Sequence, residues 1–223
     1  MRIDKLLSNL KYGSRAEIKK YVRQKRIKVN GTVIKTSDFK VDPIHDVILF
    51  DKEIVFYKER IVLMMNKPQG YVSANKDGLH QTVFDLVKEP YHRFDLKVAG
   101  RLDIDTEGLL LLTNDGEFIH NIIQPNKDVY KKYYVEVNQP FDVSRLLNPM
   151  EILDGVGNSY IPHTPIVEAI SDTTFYLSIH EGKFHQVKRM CEFCGVSVVY
   201  LKRVSIGDIV LDEDLSLGEY KEL

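Results

Sequence analysis

Apolar positions along the chain change period several times, and each change marks a different element. Ile3, Leu6, Leu7 and Leu10 recur at helical spacing, and Gly13 follows them as a stop. Ser14-Arg15-Ala16-Glu17 then reads as a capping box, in which the Ser14 hydroxyl accepts from the Glu17 amide and the Glu17 carboxylate reaches back to the Ser14 amide. The helix it starts puts Ile18, Tyr21 and Val22 on one face. Ile27 to Val33 alternates around Asn30-Gly31, a strong hairpin signal because both turn residues tolerate positive φ. Residues 1–50 therefore predict two short helices and a hairpin.

Farther along, the charged segment Tyr57-Lys58-Glu59-Arg60 separates two apolar runs and predicts a linker. Ile61 to Asn66 predicts a buried strand ended by the turn residues Lys67-Pro68-Gln69-Gly70, and Leu109 to Thr113 a second, closed by Asn114-Asp115-Gly116. Glu117 to Ile123 fits a short helix, and Lys131 to Val137 and Thr174 to His180 alternate as strands do. His185 to Cys194 is helical, with Val187, Met190, Cys191 and Cys194 on one stripe and Gly195 as the stop. Val196 to Val204 and the segment around Ile209 predict further strands. Many strands with few, short helices predict an α+β fold, not a doubly wound one. It comprises a small helix–helix–hairpin domain over residues 1–58 and a larger domain over 59–223. The larger one has a mixed, mainly antiparallel sheet flanked by short helices.

Composition supports a packed core, with 43% apolar and 10% aromatic residues. The net charge of −1 conceals an asymmetry. Residues 1–58 hold 14 Lys/Arg against 7 Asp/Glu, a net of +7, and the rest of the chain carries −8. A basic domain ahead of an acidic one suggests that the first meets a polyanion. Lys19, Lys20, Arg23 and Lys25 crowd the polar side of the second helix and the turn after it. No apolar run reaches the roughly 18 residues of a membrane span, and the N-terminus lacks the apolar stretch of a signal peptide, so a soluble, cytoplasmic protein is expected.

The densest cluster of chemistry is Gly100-Arg101-Leu102-Asp103-Ile104-Asp105-Thr106-Glu107-Gly108, three carboxylates and an arginine between glycines beside a very apolar strand. By composition alone such a loop is either a solvated turn or a site. A calcium loop needs a longer ladder of oxygen ligands, and an aspartyl-phosphotransferase wants the apolar strand before the aspartates rather than after them. Cys191 and Cys194 have zinc-like local spacing but no second pair near them, and their helical stripe points them to the core. Of seven histidines only His185 lies in a dense motif. No glycine-rich phosphate loop or nucleophile elbow is present.

The N-terminal blocks IDKLL, GSRAEIKKYV and IKVNG resemble the S4 RNA-binding module. GRLDIDTEGLLLLTNDG (residues 100–116) is similar to the central motif of the RsuA-type pseudouridine synthases. MNKPQGYVSA (65–74), KKYYVEV (131–137) and EGKFHQVKRM (181–190) resemble three further motifs of that family, in the same order. The resemblance implies an isomerase that converts a uridine of ribosomal RNA to pseudouridine without cofactor or metal. The wording of the motifs leans to 16S rRNA over the large subunit. It implies Asp103 as the essential carboxylate, acting as nucleophile or as base toward the ribose, with Lys188 as the cation beside it. Tyr133 would stack on the flipped uracil, or Tyr134 if the strand register slips by one. Arg101 would fill the gap left in the RNA stack or hold nearby phosphates, while Asp105 organises the loop. RNA contacts are expected from Arg2, Lys5, Ser14, Arg15, Lys19, Lys20, Arg23, Lys25, Arg26 and Lys67. The expected partner is ribosomal RNA, naked or within a partly assembled small subunit, met by a monomer. An RNA-binding assembly factor that has lost catalysis is the contrasting reading.

Overall fold

The computed structural model describes residues 1–123 and 129–223, which divide into two compact units. The smaller begins with helix α1 (Ile3–Asn9) and helix α2 (Arg15–Arg23). The capping box is formed: Ser14 Oγ accepts from the Glu17 amide at 3.3 Å, and Glu17 Oε2 accepts from the Ser14 amide at 2.8 Å. Strands β1 (Ile27–Val29), β2 (Thr32–Val33), β3 (Ile48–Phe50) and β4 (Glu53–Ile54) make an antiparallel sheet in the order β2-β1-β3-β4. The β1–β2 turn is the expected Asn30-Gly31, with φ of 49° and 79°. The second hairpin was not legible in the alternation. Its turn, Asp51-Lys52, also has positive φ but lacks the glycine or asparagine that announces such a turn. Ile3, Leu6, Leu7, Ile18 and Ile27 are buried as its core.

This unit comprises Met1–Ile61 and, returning from later in the chain, Val87–Leu96. Phe56 meets Tyr91 and Phe94 edge-on at ring distances of 5.7 and 5.9 Å. The Lys11 ammonium donates to the carbonyls of His92 and Phe94, and Arg93 lies over the Tyr12 ring. A single cut at 58/59 therefore does not separate the two units.

The larger unit, Val62–Leu86 with Lys97–Leu223, is built on a nine-stranded sheet. Its elements are β5 (Val62–Lys67), β6 (Lys97–Ala99), β7 (Glu107–Thr113), α3 (Gly116–Ile123), β8 (Lys131–Val137), β9 (Ile152–Leu153), β10 (Ser159–Tyr160), β11 (Ile166–Ala169), β12 (Thr174–Ile179), α4 (Gln186–Phe193), β13 (Val198–Ile206), β14 (Ile209–Val210) and β15 (Tyr220–Glu222). The sheet runs β11-β12-β8-β13-β7-β5-β15, with β14 on β13 and β6 on β7, and β9–β10 forms a separate hairpin. Only β13 and β7 pair in parallel, so the sheet is mixed and mainly antiparallel. Leu109–Leu112 of the interior strand β7 are fully buried, which is why that run is continuously apolar instead of alternating. Val98 and Ala99 of β6 pair back onto β7, so the acidic loop 100–106 is a link between two adjacent strands.

The parallel pairing depends on Gly108, paired with Arg203 at φ +98°. A Cβ there would sit 2.2 Å from the Arg203 carbonyl oxygen, so only glycine lets β13 come this close.

Candidate active site

The link 100–106 is held by side chains from distant parts of the larger unit. Lys67, at the end of β5, is fully buried, and its ammonium donates to the carbonyls of Pro68 at 3.0 Å, Asp103 at 2.9 Å and Thr106 at 2.8 Å. Ser73 Oγ donates to the Leu102 carbonyl and accepts from the Leu102 amide, at 2.9 and 3.2 Å. The Gly70 amide donates to the Ile104 carbonyl at 2.8 Å. From β13, the buried Arg203 donates to the carbonyls of Gly100 (2.7 Å), Arg101 (3.3 Å) and Leu109 (2.8 Å). The loop's own carbonyls thus converge on two buried cations, and the backbone on either side of Asp103 is fixed.

Asp103 sits on this clamped backbone with its side chain 28% exposed. Its Oδ2 lies 3.2 Å from Lys188 Nζ and 3.6 Å from His185 Nε2. The Lys188 ammonium also donates to Asp105 Oδ1 at 2.6 Å. Burial alone would raise the Asp105 carboxyl, but Lys188 outweighs it and holds the group below the usual carboxylate range. Lys67 moves the other way: burial lowers its ammonium to about 8, and the charges of Asp103, Asp105 and Glu107 resist part of that fall. Asp103, His185 and Lys188 line one wall of a cleft of about 220 Å³, whose other walls come from Tyr133, Ile179, Leu201, Phe184 and Val187.

The strand geometry decides between the two tyrosines. Burial alternates along β8, with Lys131, Tyr133, Val135 and Val137 on one face and Lys132, Tyr134 and Glu136 on the other. Tyr133 enters the cleft, whereas the Tyr134 hydroxyl donates to Glu136 at 2.9 Å on the opposite side. Arg101 also lines the cleft and is exposed.

Three of the residues expected to touch RNA have other work in the structure. Lys67 is correctly a loop-holding residue, since it has no exposed surface and three carbonyls occupy its donors. Ser14 commits its hydroxyl to the α2 cap. Arg26 pairs through two nitrogens with Asp51 while lying over the rings of Tyr21 and Phe50. Lys5, Arg15, Lys19, Lys20, Arg23 and Lys25 are exposed, and Arg2 is exposed but paired with Asp4 at 2.8 Å. Arg2, Lys19, Arg23 and Lys35 share the wall of a surface crevice in the smaller unit. Arg203 and Ser73 were missed. The one signal for Arg203 is the charged pair Lys202-Arg203 within a largely apolar strand, which puts one of the two on the buried face. Cys191 and Cys194 are buried free thiols, and burial pushes the Cys191 thiol up to about 12, as expected for packing residues. No helix among the described residues is long and apolar enough to cross a membrane.

The family model for RNA pseudouridylate synthase matches residues 61–193 of this chain, a span that contains Lys67, Ser73, the loop 100–106, Tyr133 and Lys188. The chain belongs to the RNA pseudouridylate synthase family. The S4 domain matches residues 1–48. The uncharacterised RNA pseudouridine synthase YtzG of Bacillus subtilis is 44% identical, over 100% of this chain and 95% of that one. The ribosomal small subunit pseudouridine synthase A of Escherichia coli is 37% identical, over 100% and 96%. A crystal structure of a pseudouridylate synthase superposes with a TM-score of 0.67 at 36% identity, covering 100% of this chain and 96% of that one.

Proposed function

We propose that this pseudouridine synthase isomerises one uridine of 16S ribosomal RNA, acting as a monomer in the cytoplasm, with Asp103 as the essential carboxylate. The small-subunit assignment rests on the motif wording and on the relatives that carry that name. The observation that carries the chemistry is the Asp103–Lys188 pair on a clamped loop, facing a tyrosine across a cleft of nucleobase size.

In the reaction the N1–C1′ bond of uridine breaks, the uracil turns, and C5 joins C1′; C5 gives up a proton and N1 gains one, so no redox carrier enters the balance. The target must leave the RNA stack to reach Asp103, at a cost of a few kcal/mol. Arg101, exposed at the cleft, fills the gap it leaves. Lys188, 3.2 Å from Asp103 Oδ2, supplies the countercharge to that carboxylate when the nucleotide closes the site and water is lost. Asp103 then acts at the ribose, as nucleophile on C1′ or as base. Tyr133 stacks on the uracil. Arg2, Lys5, Arg15, Lys19, Lys20, Arg23 and Lys25 hold phosphates, either of naked rRNA or of a partly assembled small subunit. The contrasting reading, an RNA-binding assembly factor without catalysis, has against it that Asp103, Lys188 and Tyr133 all meet at one cleft.

Mapping pseudouridine along rRNA from cells with and without this protein tests the proposal. One 16S site lost with the gene supports it. An unchanged map favours the assembly factor, and a lost site in large-subunit rRNA overturns the target.

A further inference from the structure

His185 stands in an unusual place. Among the described residues of the larger unit it is the only non-glycine residue with positive φ, at +53°, and it lies at the N-terminal end of α4 instead of in a hairpin turn. A left-handed backbone costs a residue with a Cβ about 1–2 kcal/mol, and such strain persists where the surroundings over-determine it. They do so here. The buried Gln186 accepts from the Lys183 amide at 2.9 Å through Oε1 and donates to Glu181 Oε2 at 2.9 Å through Nε2. Glu181 in turn accepts from the His163 amide at 2.5 Å. The strained turn swings the imidazole into the cleft, where it stacks on Phe184 with ring centroids 3.7 Å apart and planes 17° from parallel. Phe184 is backed by Gly155 of the β9–β10 hairpin and by the Arg189 guanidinium.

So held, His185 Nε2 reaches toward Asp103 Oδ2, the same oxygen that Lys188 approaches. We propose that His185 is a positioning residue for Asp103, whose Nε2–H steadies Oδ2 beside Lys188 and leaves Oδ1 to face the nucleotide. Among the described residues no donor is directed at Oδ1. The separation of 3.6 Å is long for a hydrogen bond, and contacts of this kind tighten when substrate closes the site. Both of the other charged groups near the imidazole, Asp105 and Lys188, are already paired with each other. Of the two carboxylates, Asp103 is the one that comes within 4.0 Å of a ring nitrogen, which makes it the acceptor for the imidazole. The stack on Phe184 fixes the ring plane, so that the donor cannot turn away.

This inference rests on Asp103 being the reacting carboxylate, and the test separates the two. The full-length protein and its His185→Gln, His185→Phe, His185→Ala, His185→Gly and Asp103→Asn variants are assayed for single-turnover pseudouridine formation. The substrates are rRNA and small-subunit particles isolated from cells lacking the protein, and RNA affinity and melting temperature are measured alongside. Gln keeps a nitrogen donor near the Nε2 position without the ring, whereas Phe keeps the stacking ring without the donor. His185→Gln should turn over near the parental rate. His185→Phe and His185→Ala should be slower by about tenfold to a hundredfold, the rate equivalent of a hydrogen bond to a charged group, with RNA affinity unchanged. His185→Gly, which relieves the backbone strain, should melt above His185→Ala and be equally slow; this keeps the rate loss distinct from loss of fold. Parental turnover by His185→Phe, or a His185→Gln variant as slow as His185→Ala, overturns the inference while leaving Asp103 in place. Turnover by Asp103→Asn sinks the underlying reading instead.

Discussion

Asp103 and Lys67 meet at one short stretch of backbone, which carries the first and is held by the second, but they face opposite tests. Asp103→Asn removes a charge at almost constant shape, so turnover should vanish while RNA affinity falls by less than about tenfold, since phosphate contacts made elsewhere supply most of the binding; a titration and an endpoint assay on the same protein check both. Lys188→Met leaves the carboxylate without its cation, and turnover should fall by about tenfold or more, the rate equivalent of a hydrogen bond between charged groups, in the same assay. Lys67 limits the alkaline side. With an ammonium lowered to about 8, it becomes a neutral amine above that pH and keeps two hydrogens for three carbonyls. Turnover should fall through about pH 8 as the clamp on Asp103 loosens. The stability term has the opposite sign. A lysine whose folded value is depressed disfavours the folded state below pH 8, and this penalty is relieved as pH rises from about 8 toward 10.5. Activity and this contribution to stability should diverge over that window, and a rate profile flat to pH 9.5 would refute the clamp. Lys67 was read as an RNA contact because a lysine at a turn is ordinarily solvated. Its burial is a tertiary fact, set by carbonyls 36 and 39 residues away.

At the scale of elements, the site is legible wherever one segment decides its own conformation. The capping box, the Asn30-Gly31 turn, the alternation of β8 and the apolar run of β7 all follow from local chemistry, and they place α2, β1, Tyr133 and the strand after Asp103. What escaped were elements whose reason lies across the sheet. Strands β6, β9, β10, β11 and β15 are two to four residues long and carry no usable period. The helix expected from His185 begins one residue later, because the turn needs His185 left-handed. Gly108 is the sharpest case, a glycine that reads as a loop boundary and in fact permits a parallel strand pair. Gly108→Ala must push β13 away and hold alanine at positive φ. The φ penalty alone is about 1–2 kcal/mol, and with the clash added the melting temperature should drop by about 5 °C or more. Arg203 would move with its strand, so the residual folded protein should also be slow. A melting curve superimposable on the parent's would show that the close approach is absent.

For the whole molecule, the charge arithmetic assigns the polyanion to one part of the chain. The +7 of residues 1–58 against the −8 of the remainder leaves the cleft-bearing unit little electrostatic attraction for a phosphate backbone. Cutting the chain at 59 is a poor test, because residues 87–96 would lose Lys11, Tyr12 and Phe56 and expose the rings of Tyr91 and Phe94. Charge removal within the full chain is cleaner. Lys19, Lys20 and Arg23 are exposed on α2, and none of them holds the cap or the core. In the triple variant with glutamine at these positions the fold should persist, and turnover at saturating RNA should be unchanged. The slope of log K against log salt should become shallower by about 0.7–0.9 for each cation that meets a phosphate, hence by about 2–3 for all three. Binding should weaken most at low salt, where counterion release contributes most. Titrations of parent and variant across salt concentrations read this directly. Identical slopes would mean that α2 faces only solvent and that the acidic unit, against its net charge, holds the RNA by shape.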